Sequence, residues 1–108
     1  MTTQFDVVAN PDADEAAHRP YLLVLQSDLV SGLASTIVAP LVPRDEMQGA
    51  QHLNPILSVE GREYWLATHE LFAVERWILR RKVASLVDYH DKIMGALDFL
   101  FIVTAQVA

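Results

Sequence analysis

Cysteine is absent from these 108 residues. That removes any disulfide framework and all thiolate chemistry, and it fits a reducing compartment, so the expected location is the cytoplasm. Glycine is scarce: there are four, and none sits in a phosphate-cradling loop. Cations are few as well, with 8 Lys and Arg against 14 Asp and Glu and a net charge of -6. A surface that tracks phosphates needs clustered cations, so nucleic acid is not expected as the main ligand. No apolar run reaches the roughly 18 residues of a membrane-spanning helix, so no membrane association is expected. The opening MTTQFDVVANPDADEAAH has neither the basic start nor the apolar stretch of a signal peptide, so export is not expected.

A catalytic constellation is missing too. His18, His52, His69 and His90 form no HExxH or HxH set, so no metal ligands are assigned. Ser27, Ser31, Ser35, Ser58 and Ser85 lack a G-x-S-x-G setting. His69 and Glu70 are an acid–base pair by type, yet neighbours on a strand point apart, and in a loop such a pair is a turn contact. The reading is a protein without catalytic residues, metal or cofactor.

What the chain does have is apolar residues, 52% of the total against 20% charged. That composition folds, and the length suits one domain over residues 1–108. Residues 4–9, QFDVVA, read as a strand. The acidic turn NPDADEAAHRP follows, with room for half a helical turn at residues 15–18. YLLVLQ, residues 21–26, is apolar enough for a strand covered on both faces. SDLVSGLAS breaks it, and TIVAPL resumes an extended run that Pro40 and Pro43 should end or force to an edge. ILSVEGREYWLAT is a hairpin about Glu60-Gly61. Residues 72–79 alternate as one further strand. From Ser85 the period becomes helical, with Leu86, Ile93, Leu97 and Leu100 on one stripe and Ser85 and Asp88 as a capping pair. The helix is expected from about Leu86 to Ile102. Six short strands and one C-terminal helix predict a mainly β fold, a small barrel or curled sheet with the helix against it.

Two segments ask for a partner. ERWILRRK gathers Arg76, Arg80, Arg81 and Lys82, four of the eight cations, around Trp77. Solvated charges at a strand end are the plain reading; base stacking or docking of an acidic peptide are the others. The second is LDFLFIVTAQVA, where Phe99 to Val103 are all apolar. A helix sets neighbours 100° apart, so five consecutive apolar residues cover every side. Such an end belongs at a subunit seam or against another protein.

PYLLVLQSDLVSGLASTIVAPLVP, with its Gln26-Ser27-Asp28-Leu29 turn, resembles the CcdB family of toxins. QFDVVANP is similar to that family's first strand, LNPILSVEGREYWLATHELFAV to its central hairpin and next strand, and VASL with DKIMGALDFLF to its C-terminal helix. The resemblance runs from Thr3 to about Phe101. It implies a small β-barrel of the CcdB/MazF plasmid-toxin type, mainly β with a C-terminal α-helix. It also implies a symmetric homodimer that traps DNA gyrase, through its A subunit, in a cleavage complex. A CcdA-like antitoxin would neutralise the toxin and co-repress the operon with it, so DNA is met only through the antitoxin or the gyrase complex.

By position, the target-binding residues implied are Ser27, Leu29, Asp98, Phe101, Ile102, Val103 and Thr104. The implied dimer seam holds Gly95, Phe99 and Ile102. Where the well-known toxin ends in Trp-Gly-Ile, this chain has Ile102-Val103-Thr104 and four more residues. His90 replaces a family carboxylate, and Arg80-Arg81-Lys82 stands where the family has an acidic pair. The alternatives to a gyrase poison are an endoribonuclease of the related barrel fold and an inactive dimer with another protein target.

Overall fold

The computed structural model describes residues 2–102. Seven strands and two helices follow in the order β1 (Asp6–Ala9), α1 (Ala13–Ala16), β2 (Tyr21–Val24), β3 (Ser35–Pro43), β4 (Ile56–Val59), β5 (Arg62–Leu66), β6 (Phe72–Glu75), β7 (Lys82–Ser85) and α2 (His90–Phe101). Every pairing is antiparallel. The sheet runs β4-β5-β3-β2-β1-β7, with β6 also on β3. The mainly β architecture with a C-terminal helix is therefore present, as a curled half-barrel.

β3 sets this geometry. Its first half pairs with β6 (Thr36 with Val74, Val38 with Phe72) and its last residues pair with β5 (Leu41 with Leu66, Pro43 with Tyr64). The prolines do not end it. Leu25 donates to the Ile37 carbonyl on the β2 side, and Ala67 donates to the Pro40 carbonyl on the opposite side. By that alternation the Pro40 nitrogen points at the junction between β6 and β5, where no ladder acceptor waits. The Pro43 nitrogen points to the β2 side, beyond Tyr21, the first residue of β2. Each missing N–H thus falls at a place without a partner.

The hairpin forms as expected. Val59 pairs with Arg62, and the two turn residues, Glu60 and Gly61, take φ of 51° and 82°. Positive φ at both positions is the type I′ turn that matches strand twist. Residues 72–79 depart from expectation. The alternation breaks after Glu75, a 3-10 turn spans Arg76–Ile78, and β7 follows. The basic run therefore opens a seventh strand, which pairs with β1 across a bulge between Val7 and Val8.

The sheet is buried on both faces. On one, Phe5, Val7, Leu23, Leu41, Leu57, Leu66 and Leu86 pack against Ile93 of α2. On the other, Val8, Leu22, Val24 and Val38 lie beneath Leu79. α2 starts four residues later than the periodicity implied. Leu86 is buried ahead of it with φ -111°, a 3-10 turn covers Val87–Tyr89, and Ser85 Oγ accepts from Val87 N–H at 3.4 Å, so no capping box with Asp88 forms. The helical turn in the acidic loop is Ala13–Ala16, capped by Asp12, rather than residues 15–18. No described helix is long and apolar enough to cross a membrane.

Candidate functional site

The end of β2 and the end of α2 meet at one corner of the molecule. After Val24, Leu25 is still buried, and the chain then turns through Gln26 and Ser27 into a 3-10 turn, Asp28–Val30. Ser27 Oγ accepts from Leu29 N–H at 3.1 Å, a local cap that fixes the turn. Gln26 braces the loop from inside: its Oε1 accepts from Ile37 N–H, and its Nε2 donates to the carbonyls of Val30 and Ser35. Asp28 accepts from Gln4 N–H at 2.9 Å. These bonds hold Leu29 out in solvent, 96% exposed. A leucine presented by a braced turn contributes nothing to its own core.

Beside this turn lies an apolar groove of about 380 Å³, lined by Leu25, Gln26, Ile37, Leu71, Leu97 and Phe101. Leu97 and Phe101 are one helical turn apart and face it together. Phe101 stays 65% exposed, and Ile102 is also exposed, with its N–H on the Asp98 carbonyl at 2.7 Å. Asp98 is exposed. Phe101 lies in the wall of the groove with Gln26, the residue that leads into the turn of Ser27 and Leu29. Val103 and Thr104 lie outside the described residues.

Gly95 and Phe99 are four residues apart on α2, whereas Ile102, expected as its last residue, follows the helix in an extended conformation with φ -109° and ψ 104°. Gly95 is exposed, and a Cβ added there would meet nothing within 4 Å. The close approach that a helical glycine permits is not made within this chain. Phe99 is 37% exposed and lies near the His52 ring, centroids 5.6 Å apart, a contact the sequence did not suggest.

A second cavity, about 430 Å³, collects charge instead, with His18, Arg19, Glu46, Asn54, His69 and Glu70 in its wall. Arg19 holds Glu70 through two bonds, Nε to Oε1 at 2.8 Å and Nη2 to Oε2 at 3.0 Å. Those bonds push the Glu70 carboxyl below its ordinary pKa, against the opposing effect of burial, and raise the Arg19 guanidinium. His18 Nδ1 meets Glu46 at 2.9 Å. His69 stands 3.8 Å from Glu70, with Asn54 Nδ2 on its Nδ1 at 3.3 Å. The His69-Glu70 pair is thus a turn contact, and the carboxylate belongs to Arg19. Sequence reasoning missed this ion pair because its members are 51 positions apart and nothing local marks either.

The likenesses to solved structures follow this geometry. One is to an endoribonuclease in complex with its cognate antitoxin from a mycobacterial species, with TM-score 0.72 and 13% identity over 92% of this chain and 93% of that one. Another is to a MazE-MazF crystal structure from Deinococcus radiodurans, with TM-score 0.66 and 17% identity over 94% and 95% of the two chains. At such identities they establish the shared MazF-type fold. A search of the curated proteins found no sequence match. The family model described as CcdB protein matches residues 4–102. With nearly the whole chain inside that match, the protein belongs to the CcdB family.

Proposed function

We propose that the chain is the toxin of a type II toxin–antitoxin pair. It is a cytoplasmic, single-domain homodimer that binds DNA gyrase through its A subunit, traps the cleavage complex and is held in check by a CcdA-like antitoxin. The observation that carries this reading is the corner where Gln26 of the braced turn and Phe101 of α2 line one apolar groove, with Leu29 three residues along that turn and fully exposed. Family membership supports the toxin class. Gly95 and Phe99, four residues apart on α2 with open space over Gly95, and the exposed Ile102 just past the helix end support an isologous seam that brings two such corners together. DNA contact is then indirect, through gyrase or the antitoxin complex.

The tip has no Trp, and a large aromatic is the usual anchor of such contacts. Phe101 takes that role, and poisoning is expected to be weaker than a tryptophan tip would give. Expression of the full chain should arrest growth, and Leu29→Ala and Phe101→Ala should relieve the arrest while leaving the dimer intact.

The endoribonuclease reading draws on the shared fold. Against it, Arg19, the guanidinium in the polar cavity, is engaged on both sides of its fork by Glu70, so a phosphate would have to displace a carboxylate. Site-specific cleavage of a long RNA, abolished by Arg81→Ala, would favour that second reading over the first.

A further inference from the structure

The curled sheet does not close on itself. β4 and β7 stand at the two ends of its strand order, and among the described residues β4 pairs only with β5 and β7 only with β1. The curl still brings these two ends to one small cavity of about 200 Å³. Its wall holds Glu60 from the hairpin turn and Arg81, Lys82 and Val83 at the start of β7, together with Ala9 and Tyr21, which pair across β1 and β2. The backbone is fixed on both sides. Glu60 sits in the two-residue turn at φ 51°, and the Arg81 carbonyl accepts from Ala9 N–H at 2.9 Å. The Tyr21 ring is held edge-on against Tyr64, centroids 5.6 Å apart. Lys82 is committed to Asp6 at 3.2 Å. Among the described residues, neither Glu60 nor Arg81 takes part in an ion pair, with each other or with any other side chain. A carboxylate and a guanidinium that share a cavity without pairing present one charge of each sign to whatever enters.

We propose that this cavity binds a free α-amino acid. Its carboxylate takes the Arg81 guanidinium, its ammonium takes the Glu60 carboxylate, and a small side chain rests on Tyr21, Ala9 and Val83. The charge pattern selects this class. A simple anion such as phosphate would gain Arg81 but face Glu60. A simple amine would gain Glu60 but face Arg81 and Lys82. A zwitterion meets both charges, and a guanidinium fork matches a carboxylate in two parallel bonds. Size selects in the same direction. Sites for drug-sized ligands run to about 300–1,000 Å³, so this cavity suits a smaller molecule. Among the described residues no three side chains are grouped to hold a metal ion. Glu60 and Arg81 are both exposed, so binding is weak and falls with added salt. The cavity shares no lining residue with the groove at the tip, and the site stands or falls independently of the toxin reading.

The test follows backbone amide resonances of the full chain as glycine, L-alanine or L-valine is added, with propionate, propylamine and inorganic phosphate as counter-probes. At least one of the three amino acids should shift the amides of Glu60, Gly61, Lys82 and Val83 saturably at millimolar concentration. Propionate and propylamine, each lacking one of the two charges, should bind at least tenfold more weakly. The same loss is expected for the amino acid on Glu60→Gln and on Arg81→Gln, which remove one charge each. Both positions are exposed, so both variants should keep the wild-type Tm, and the counter-probes on the unaltered chain decide the matter if either variant does not fold. No saturable shift from any of the three amino acids, propionate or phosphate binding as tightly as the best of them, or unchanged affinity in either variant would overturn the proposal. So would Tm losses in the two variants that fail to add in the double variant with no amino acid present, because that coupling would show Glu60 and Arg81 paired with each other.

Discussion

Arg19 and Glu70 join the loop before β2 to the turn before β6, and their pairing has a pH signature. Because the Glu70 carboxyl is held below its ordinary value of 4.5, its contribution is complete above that value and is lost as pH falls through the lower folded pKa. Both side chains are about a third exposed, which limits the pair to about 0.5–1 kcal/mol. Glu70→Gln should cost that much in urea unfolding at pH 7. The difference from wild type should hold above the ordinary value of 4.5 and shrink as pH falls through the lower folded pKa. A difference that grows toward acid would contradict the assignment. Thr36 behaves in the opposite sense. Its hydroxyl is buried on the β6-paired half of β3 without a hydrogen-bond partner. Thr36→Val removes a desolvated donor and keeps the shape, so it should raise stability by about 1 kcal/mol in the same assay. The sequence set Glu70 beside His69 rather than Arg19, and nothing in it marked Thr36. An ion pair spanning 51 positions and a buried hydroxyl are both products of the finished fold.

At the scale of elements, what could be read was what local chemistry decides. Glu60-Gly61 demanded positive φ at a two-residue turn, and the hairpin stands there. The Ser27 turn could be read too, because a serine two residues ahead of the N–H it caps is a local motif. β7 could not, since Lys82–Ser85 is four residues long and owes its extension to pairing with the distant β1. The helix start was misplaced for a related reason: Leu86 is buried in register with the apolar stripe but sits on a turn. A packing detail gives this scale its own test. The loop after β3 lies flat on Trp65, whose indole donates to the Arg44 carbonyl at 3.0 Å, and a Cβ on Gly49 would overlap the ring. Gly49→Ala should therefore destabilise by about 1–3 kcal/mol through displaced packing, with a matching loss of Tm. An unchanged Tm would mean that the loop does not rest on the indole.

For the whole molecule, the tip reading depends on assembly as well as on chemistry. Sedimentation at micromolar concentration should return about twice the 12.1 kDa chain mass. Gly95→Leu should shift the equilibrium toward monomer, because its side chain would fill the space a second helix needs. A wild-type monomer would leave the exposed face of α2 without its proposed cover. The fold-level resemblance extended further than the residue-level one: curled sheet and helix are present, whereas of Ser27, Leu29 and Phe101 the groove is lined by Phe101. Gyrase as the target takes the most direct measurement. Supercoiled plasmid would be incubated with gyrase and ATP, and linear DNA quantified for the full chain, for Phe101→Ala and for Leu29→Ala at equal dimer concentration. Linear product that rises with the full chain and falls at least tenfold with either variant is the expected result. No linear product at any concentration of the full chain, or equal product from all three proteins, would contradict the account.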